Sequence, residues 1–322
     1  MSQFDPALSS RPTPAWLGRL LLLATAAGWG GGYTFSSIVT GHVTVQWMMA
    51  IRLLFGTAVI GLLAFRRIRR MPFARIAIPG LLLAVSYWAA FLVQMTGLTM
   101  TAPGRNAFLT ATYCVLVPFL VWMLTKRRPA KRNLAAAAVC LVGVGFVSMA
   151  EAGAGGGVGG AGGIGTLGGL IDPGDLVSLA GGALFGLNIT LTGMLAKQYD
   201  AMTLTFYEFG FACVLFAAGG LLFDPLPTRG WFTPEVIGSF VYLVLVSTLM
   251  AQIFQNIAFA CVPSSQGSLI LCLESVFGVL FSVLLTGERV TVPTAVGFAL
   301  IFCAILLSEV RLSTLRSLMH RR

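Results

Sequence analysis

Ala102-Pro103-Gly104-Arg105-Asn106-Ala107-Phe108-Leu109 returns later in the chain as Val262-Pro263-Ser264-Ser265-Gln266-Gly267-Ser268-Leu269. Both times a proline and a short polar run lead into an apolar stretch. Downstream, Leu124-Thr125-Lys126-Arg127 answers Leu285-Thr286-Gly287-Glu288, so the register is about 160 residues and slips by one in between. Each copy opens the fourth of five apolar stretches. An odd number of crossings per repeat turns the second half upside down relative to the first, and inverted repeats place a binding site near mid-membrane where the two bundles meet.

A helix needs roughly 20 apolar residues to cross a hydrocarbon core of about 30 Å. Ten such stretches lie near 17 to 39, 43 to 65, 76 to 98, 103 to 125, 132 to 150, 174 to 196, 201 to 223, 234 to 260, 263 to 286 and 290 to 310. At 57% hydrophobic and 10% charged, with a mean hydropathy of +0.88, the chain has too little polar surface to coat a water-soluble globule. The fold class expected is therefore all-α integral membrane, with ten transmembrane helices in two inverted five-helix repeats. Residues 1 to 16 form a cytoplasmic tail, 17 to 150 the first repeat, 151 to 173 a Gly-rich non-cytoplasmic linker, 174 to 310 the second repeat, and 311 to 322 a basic cytoplasmic tail. From Ala152 to Gly169 the linker is almost entirely Gly with Ala, Val, Ile, Thr and Leu, which reads as a tether between halves, with a lid as the alternative. The first apolar stretch is too long for a signal-peptide core, and removing it would break the two-fold pattern.

The net charge of +10 sits at the ends of the apolar stretches and not on one face of a folded domain, which argues against nucleic acid. Arg66, Arg67, Arg69, Arg70 and Arg75 follow the second stretch; Lys126, Arg127, Arg128, Lys131 and Arg132 follow the fourth; Arg311, Arg316, Arg321 and Arg322 follow the tenth. With Arg11, Arg19 and Lys197, all belong to one side, leaving only Arg105, Arg229 and Arg289 opposite and Arg52 inside a span. The positive-inside bias puts both termini in the cytoplasm of what is expected to be a bacterial inner (plasma) membrane. These basic loops also imply contact with anionic membrane lipid.

Ionisable groups at bilayer depth are costly, so each is a functional hypothesis. Arg52, Glu208 and Glu274 are the three placed well inside spans. At a rise of ~1.5 Å per residue, Arg52 lies about 13 Å from the outer end of its span and Glu274 about 16 Å from the inner end of its own, both near the midplane, whereas Glu208 is shallower, about 10 Å from the inner end. Glu274 reads as a protonatable coupling group or a partner for a substrate amine, with Glu208 as a second proton-coupling candidate. Arg52 reads as a clamp for a carboxylate or phosphate through its planar fork. The alternative joins Arg52 to one of the glutamates in a static ion pair that fixes helix packing.

The substrate-binding candidates beside Arg52 are Trp29, Tyr33, Tyr87, Trp88, Gln94 and Tyr113 in the first half and Asn188, Tyr207, Gln252, Gln255 and Asn256 in the second. Amides and phenols hold neutral or zwitterionic solutes without fixed charge; for each, the alternative is an interhelical hydrogen bond or aromatic packing. Tyr87 and Trp88, about 100° apart on one helix, cannot both face one cavity. Gly30, Gly31 and Gly32 fall at places equivalent to Gly181, Gly182 and Gly186 and suit close helix approach. No Lys-Ser or Lys-Thr follows the triple glycine, so it is no phosphate loop. His42 and His320 are far apart, and the six cysteines fall singly, so no catalytic residues, metal or cofactor are expected.

Gln94-Met95-Thr96-Gly97-Leu98-Thr99-Met100-Thr101-Ala102, followed by Ala107-Phe108-Leu109-Thr110 and Val117-Pro118, resembles a signature of the EamA-type transporters of the drug/metabolite transporter superfamily. Leu273-Glu274-Ser275-Val276-Phe277, then Leu285-Thr286-Gly287-Glu288-Arg289 and Gly297, resembles the matching signature of the second half, and Trp29-Gly30 and Arg52 also sit where that family often has them. Ser275 stands where the family commonly has proline, and the Gly-rich insertion is longer than usual. The resemblance implies a five-plus-five inverted fold and secondary transport of small metabolites, often outward. The reading that follows is a secondary active transporter exporting small polar metabolites such as amino acids by alternating access, with a small-molecule substrate, membrane lipid and a proton as partners. The alternatives are an organic-anion or sugar-phosphate exchanger, a membrane enzyme acting on lipid-linked substrates, and a sensor or scaffold without flux. Nothing in the sequence sets the oligomeric state.

Overall fold

The computed structural model describes residues 14–126, 128–152, 172–263, 267, 270–271, 273–287 and 289–309. Among them the regular structure is all helical. The first half holds α1 (Ala15–Thr40), α2 (Val45–Leu63), a short α3 (Phe65–Arg70), α4 (Phe73–Leu98), α5 (Pro103–Ala111), α6 (Tyr113–Thr125) and α7 (Lys131–Ala152). The second holds α8 (Pro173–Leu195), α9 (Ala201–Phe223), α10 (Pro234–Tyr242), a π-helical segment (Leu243–Met250), α11 (Ala251–Cys261), α12 (Leu273–Thr286) and α13 (Val292–Glu309). Among the described residues six stretches are long and apolar enough to cross a bilayer: Val45–Leu63, Phe73–Leu98, Pro103–Leu124, Pro173–Leu195, Ala201–Phe223 and Pro234–Cys261, with shorter apolar helices at Leu273–Thr286 and Ala295–Ala304. Large apolar side chains such as Leu62, Leu63, Leu222 and Phe223 point outward, as a lipid-facing surface requires. Most of the expected linker and both tails lie outside the described residues.

The long helices of the two halves pack in matching ways. α1 packs on α12 and on α10 with α11; its counterpart α8 packs on α5 with α6 and on α4. Exchanging the halves maps each pair onto the other, while α2 with α9, α5 with α12 and α7 with α13 pair with their own counterparts. Direction follows from side-chain contacts. Gly219 and Gly220, late in α9, face Gln46 and Trp47 at the start of α2, whereas Gly56 and Gly61 further along α2 face Phe209 and Phe206 early in α9. α2 and α9, the second long helices of their halves, thus run antiparallel, as inverted repeats require.

Glycine makes the closest crossings. A Cβ on Gly30 of α1 would lie 2.8 Å from the Glu274 carbonyl oxygen of α12, and one on Gly182 of α8 would lie 2.6 Å from the Thr110 carbonyl oxygen of α5. Both contacts set the first span of one half against the fourth span of the other. Helix starts are capped from the sequence: Asp172 accepts from the Gly174 amide at 2.7 Å, Asp200 from Thr203 at 3.1 Å and Thr233 from Val236 at 3.3 Å, with Pro173 and Pro234 at the first helical position.

Three local features depart from uniform spans. The stretch expected to be continuous from 103 to 125 divides at Thr112, whose hydroxyl bonds back to the Leu109 carbonyl at 2.7 Å. Such back-bonding competes with the helical ladder, and Pro118 further on removes another donor. The stretch near 234 to 260 carries the π segment, a form that recurs at functional sites. The basic run after α2 is not a loop: Arg66, Arg67, Arg69 and Arg70 stand exposed on α3, with Arg67 3.4 Å from Asp200.

Candidate functional site

Where α1, α2, α4, α8, the π segment and α12 converge, a narrow hollow of about 30 Å³ remains, room for a water or two in this packing. α1 contributes Trp29, Gly32, Tyr33 and Ser36 to its walls, and α4 contributes Phe91, Gln94 and Met95. Phe185 of α8 adds a further ring. Arg52, Ser247 and Glu274 supply the remaining polar lining.

Arg52 is 2% exposed, and neutral groups hold it. Its Nε donates to the Thr248 hydroxyl, and its Nη2 donates to the Ser247 hydroxyl at 2.9 Å and the Ser247 carbonyl at 3.2 Å. The Phe91 ring lies under the guanidinium at 5.5 Å, a favourable cation–π arrangement. Among the described residues Nη1 meets only the Met49 sulfur at 4.0 Å, a weak acceptor. Among the described residues no carboxylate lies within 4.0 Å of Arg52, so the static pair with Glu208 or Glu274 does not form. The π segment carries both hydroxyls that orient the cation. The Ser247 carbonyl also accepts from the Trp29 indole at 3.0 Å, which ties α1 to the same segment.

Glu274 is 2% exposed and sits at the end of a short chain of hydrogen bonds. Gln94 Nε2 donates to the Tyr33 hydroxyl at 2.8 Å, which donates to Glu274 Oε1 at 3.4 Å. The chain joins α4, α1 and α12. The buried Tyr113 hydroxyl belongs to the same neighbourhood.

A second polar cluster forms apart from the hollow. Glu208 of α9, fully buried, accepts from Asn188 Nδ2 at 3.4 Å and from Gln252 Nε2 at 3.2 Å. Asn188 also reaches the Ser86 hydroxyl at 3.1 Å, and Asn256 donates to the Thr205 hydroxyl at 2.5 Å. Gln255, on the same helix as Gln252, is fully buried with neither amide atom partnered.

Of the residues singled out from sequence, the structure therefore gathers Trp29, Tyr33, Arg52, Gln94 and Glu274 around one hollow. Asn188, Glu208, Gln252 and Asn256 form the other cluster. Tyr87 is buried with its ring 4.4 Å from that of Phe91, behind the wall of the hollow, and Trp88 is half-buried; neither lines it. Tyr207 packs among Phe73, Phe206 and Phe211. The sequence reading missed Ser247 and Thr248, and it missed a buried ion pair: Arg105 of α5 grips Asp175 of α8 with two bonds, Nε at 2.7 Å and Nη2 at 2.5 Å. The neighbouring Asn106 bonds Ser178 across the same helices at 2.8 Å. The signal for that pair was two opposite charges in the first turns of two spans expected on the same membrane face.

Matched helical halves that meet at a polar hollow, in a chain this apolar, are the build of a membrane transporter. A model of the EamA-like transporter family matches residues 16–149 and 172–309, one match to each half, and the chain belongs to that family. An uncharacterized transporter of Archaeoglobus fulgidus is 26% identical over 232 residues, covering 72% of this chain and 68% of that one. A solved crystal structure superimposes with a TM-score of 0.65 at 17% identity, covering 91% of this chain and 96% of the other, a likeness of fold alone.

Proposed function

We propose that this chain is a secondary active transporter that exports a small zwitterionic metabolite of the amino-acid type by alternating access. The observation that carries the reading is a buried guanidinium and a buried carboxylate that line one hollow without pairing. Arg52, with no counter-charge of its own, takes the solute carboxylate, and Glu274 with Tyr33 takes the ammonium group. Trp29, Phe91 and Phe185 supply apolar wall for the rest of the solute. Oppositely directed halves give the two exchangeable packings that alternating access needs. The distribution of Lys and Arg supports a cytoplasmic position for both termini in a bacterial inner membrane.

The test uses protein reconstituted in liposomes and a panel of labelled amino acids in counterflow. Arg52→Ala is expected to raise KM by about 10-fold or more, the worth of charge-assisted hydrogen bonds. No flux of any zwitterion by the wild-type protein would sink the proposal. A second reading, exchange of an organic anion such as a sugar phosphate, rests on Arg52 alone; on that reading Glu274→Gln leaves flux of the anion intact.

A further inference from the structure

We propose that Glu208, with Asn188 and Gln252, forms a proton-binding site in the seam between the halves, separate from the solute hollow, filled while the seam is closed and emptied when it opens. The opening step rests on the alternating-access reading above; the site itself does not.

The seam draws on both halves. Asn188 of α8, Glu208 of α9 and Gln252 of α11 come from the second half, Asn188 bonds Ser86 of α4 in the first, and each of these four is buried. A run of ring contacts leads from the neighbour of Glu208 to the wall of the hollow: Phe209 to Tyr87 at 5.8 Å, Tyr87 to Phe91 at 4.4 Å and Phe91 to Phe185 at 4.7 Å. Phe91 and Phe185 line the hollow, while Ser86 and Asn188 lie about one turn further along the same two helices.

A carboxyl group sealed in this way needs a counter-charge or a proton. No cation is within 4.0 Å of Glu208 among the described residues, and both of its bonded neighbours are neutral amides. The charged and titratable groups on the surrounding helices are engaged elsewhere or uncharged. From α2, Arg52 turns to Ser247 and Thr248; from α4 comes the Tyr87 phenol; on α9, Tyr207 packs over Gly80 and Phe211. From α3, Arg67 reaches Asp200 at the exposed start of α9. α8 and α11 present amides. The closed seam therefore holds Glu208 as the neutral acid, and water entering on opening ionises it. Gln255 and the Asn256 Oδ1, buried without partners, mark a packing that hydration would relieve.

Infrared difference titration of the full chain in lipid nanodiscs reads the carboxylic C=O band of buried acids. A band that titrates with pH is expected in Glu274→Gln, which removes the other buried unpaired glutamate, lost when Glu208→Gln is added to it, and displaced when Glu208→Asp is added instead, whose shorter side chain keeps the acid if the glutamine variant fails to fold. Hydrogen exchange of α11, corrected for intrinsic rate, is expected to rise several-fold with pH in the wild type and to stay flat in Glu208→Gln. A band that persists when Glu208→Gln and Glu274→Gln are combined, or pH-independent exchange in the wild type, overturns the proposal. Neither readout involves a solute, so a failed liposome assay removes the transport reading while leaving this one to stand or fall by itself.

Discussion

Arg52 takes its orientation from two hydroxyl groups on another half of the molecule. Removing the Thr248 hydroxyl while keeping the shape, as in Thr248→Val, deletes one bond to a charged group, worth about 1.5–3 kcal/mol. The expected outcome is a KM raised roughly 10-fold with little change in kcat, since the cation is still present and only its aim is lost; an unchanged KM would mean that Thr248 does not position it. The ionisable members of the hollow, Arg52 and Glu274, were legible because a charged side chain in an apolar run has few structural excuses. Ser247 and Thr248 were not. Hydroxyls in membrane helices satisfy themselves on their own backbone, as Thr96 does on the Leu92 carbonyl, Thr190 on Gly186 and Ser239 on Glu235, so their presence in a span carries no information about a partner elsewhere.

At the scale of elements, helix crossings tighter than any side chain allows are what fix the hollow's walls. A Cβ on Gly182 would come within 3.2 Å of the Thr110 Cα as well as 2.6 Å of its carbonyl oxygen, and backbone cannot rotate away. Gly182→Ala is expected to destabilise the protein by about 1–3 kcal/mol, read as a lowered Tm in detergent. Gly238→Ala, with nothing within 4 Å of the new atom, is the matched control and is expected to leave Tm unchanged or slightly raised. The glycine pattern of α1 and α8 was visible in the sequence because it recurs at equivalent places. The division at Thr112 and the π segment were hidden, because both depend on which carbonyls find partners across the bundle, and the apolar run reads the same either way.

Across the whole molecule, the doubling of the chain was readable from one repeated proline-containing run, and opposite direction followed from an odd count of spans. The structure shows that direction through α2 and α9, whose contacts run in reverse order. The sequence could not show that α8 lies on α4 and α1 on α11, contacts that knit the halves together instead of setting them side by side. Halves joined in this way should not need their covalent connection. A chain interrupted within residues 153–171 is expected to reassemble from two co-expressed pieces with wild-type Tm, and the first piece expressed alone is expected not to accumulate; stable accumulation of that piece would show that it folds independently.

The Arg105–Asp175 grip gives that dependence a direction in time. The two residues are 70 positions apart, in separate halves, and both are buried once joined. A ribosome delivers the guanidinium long before its carboxylate, so the buried pair cannot close until the start of α8 arrives. Insertion of the second half is thus rewarded electrostatically from its first turn, where Asp175 stands.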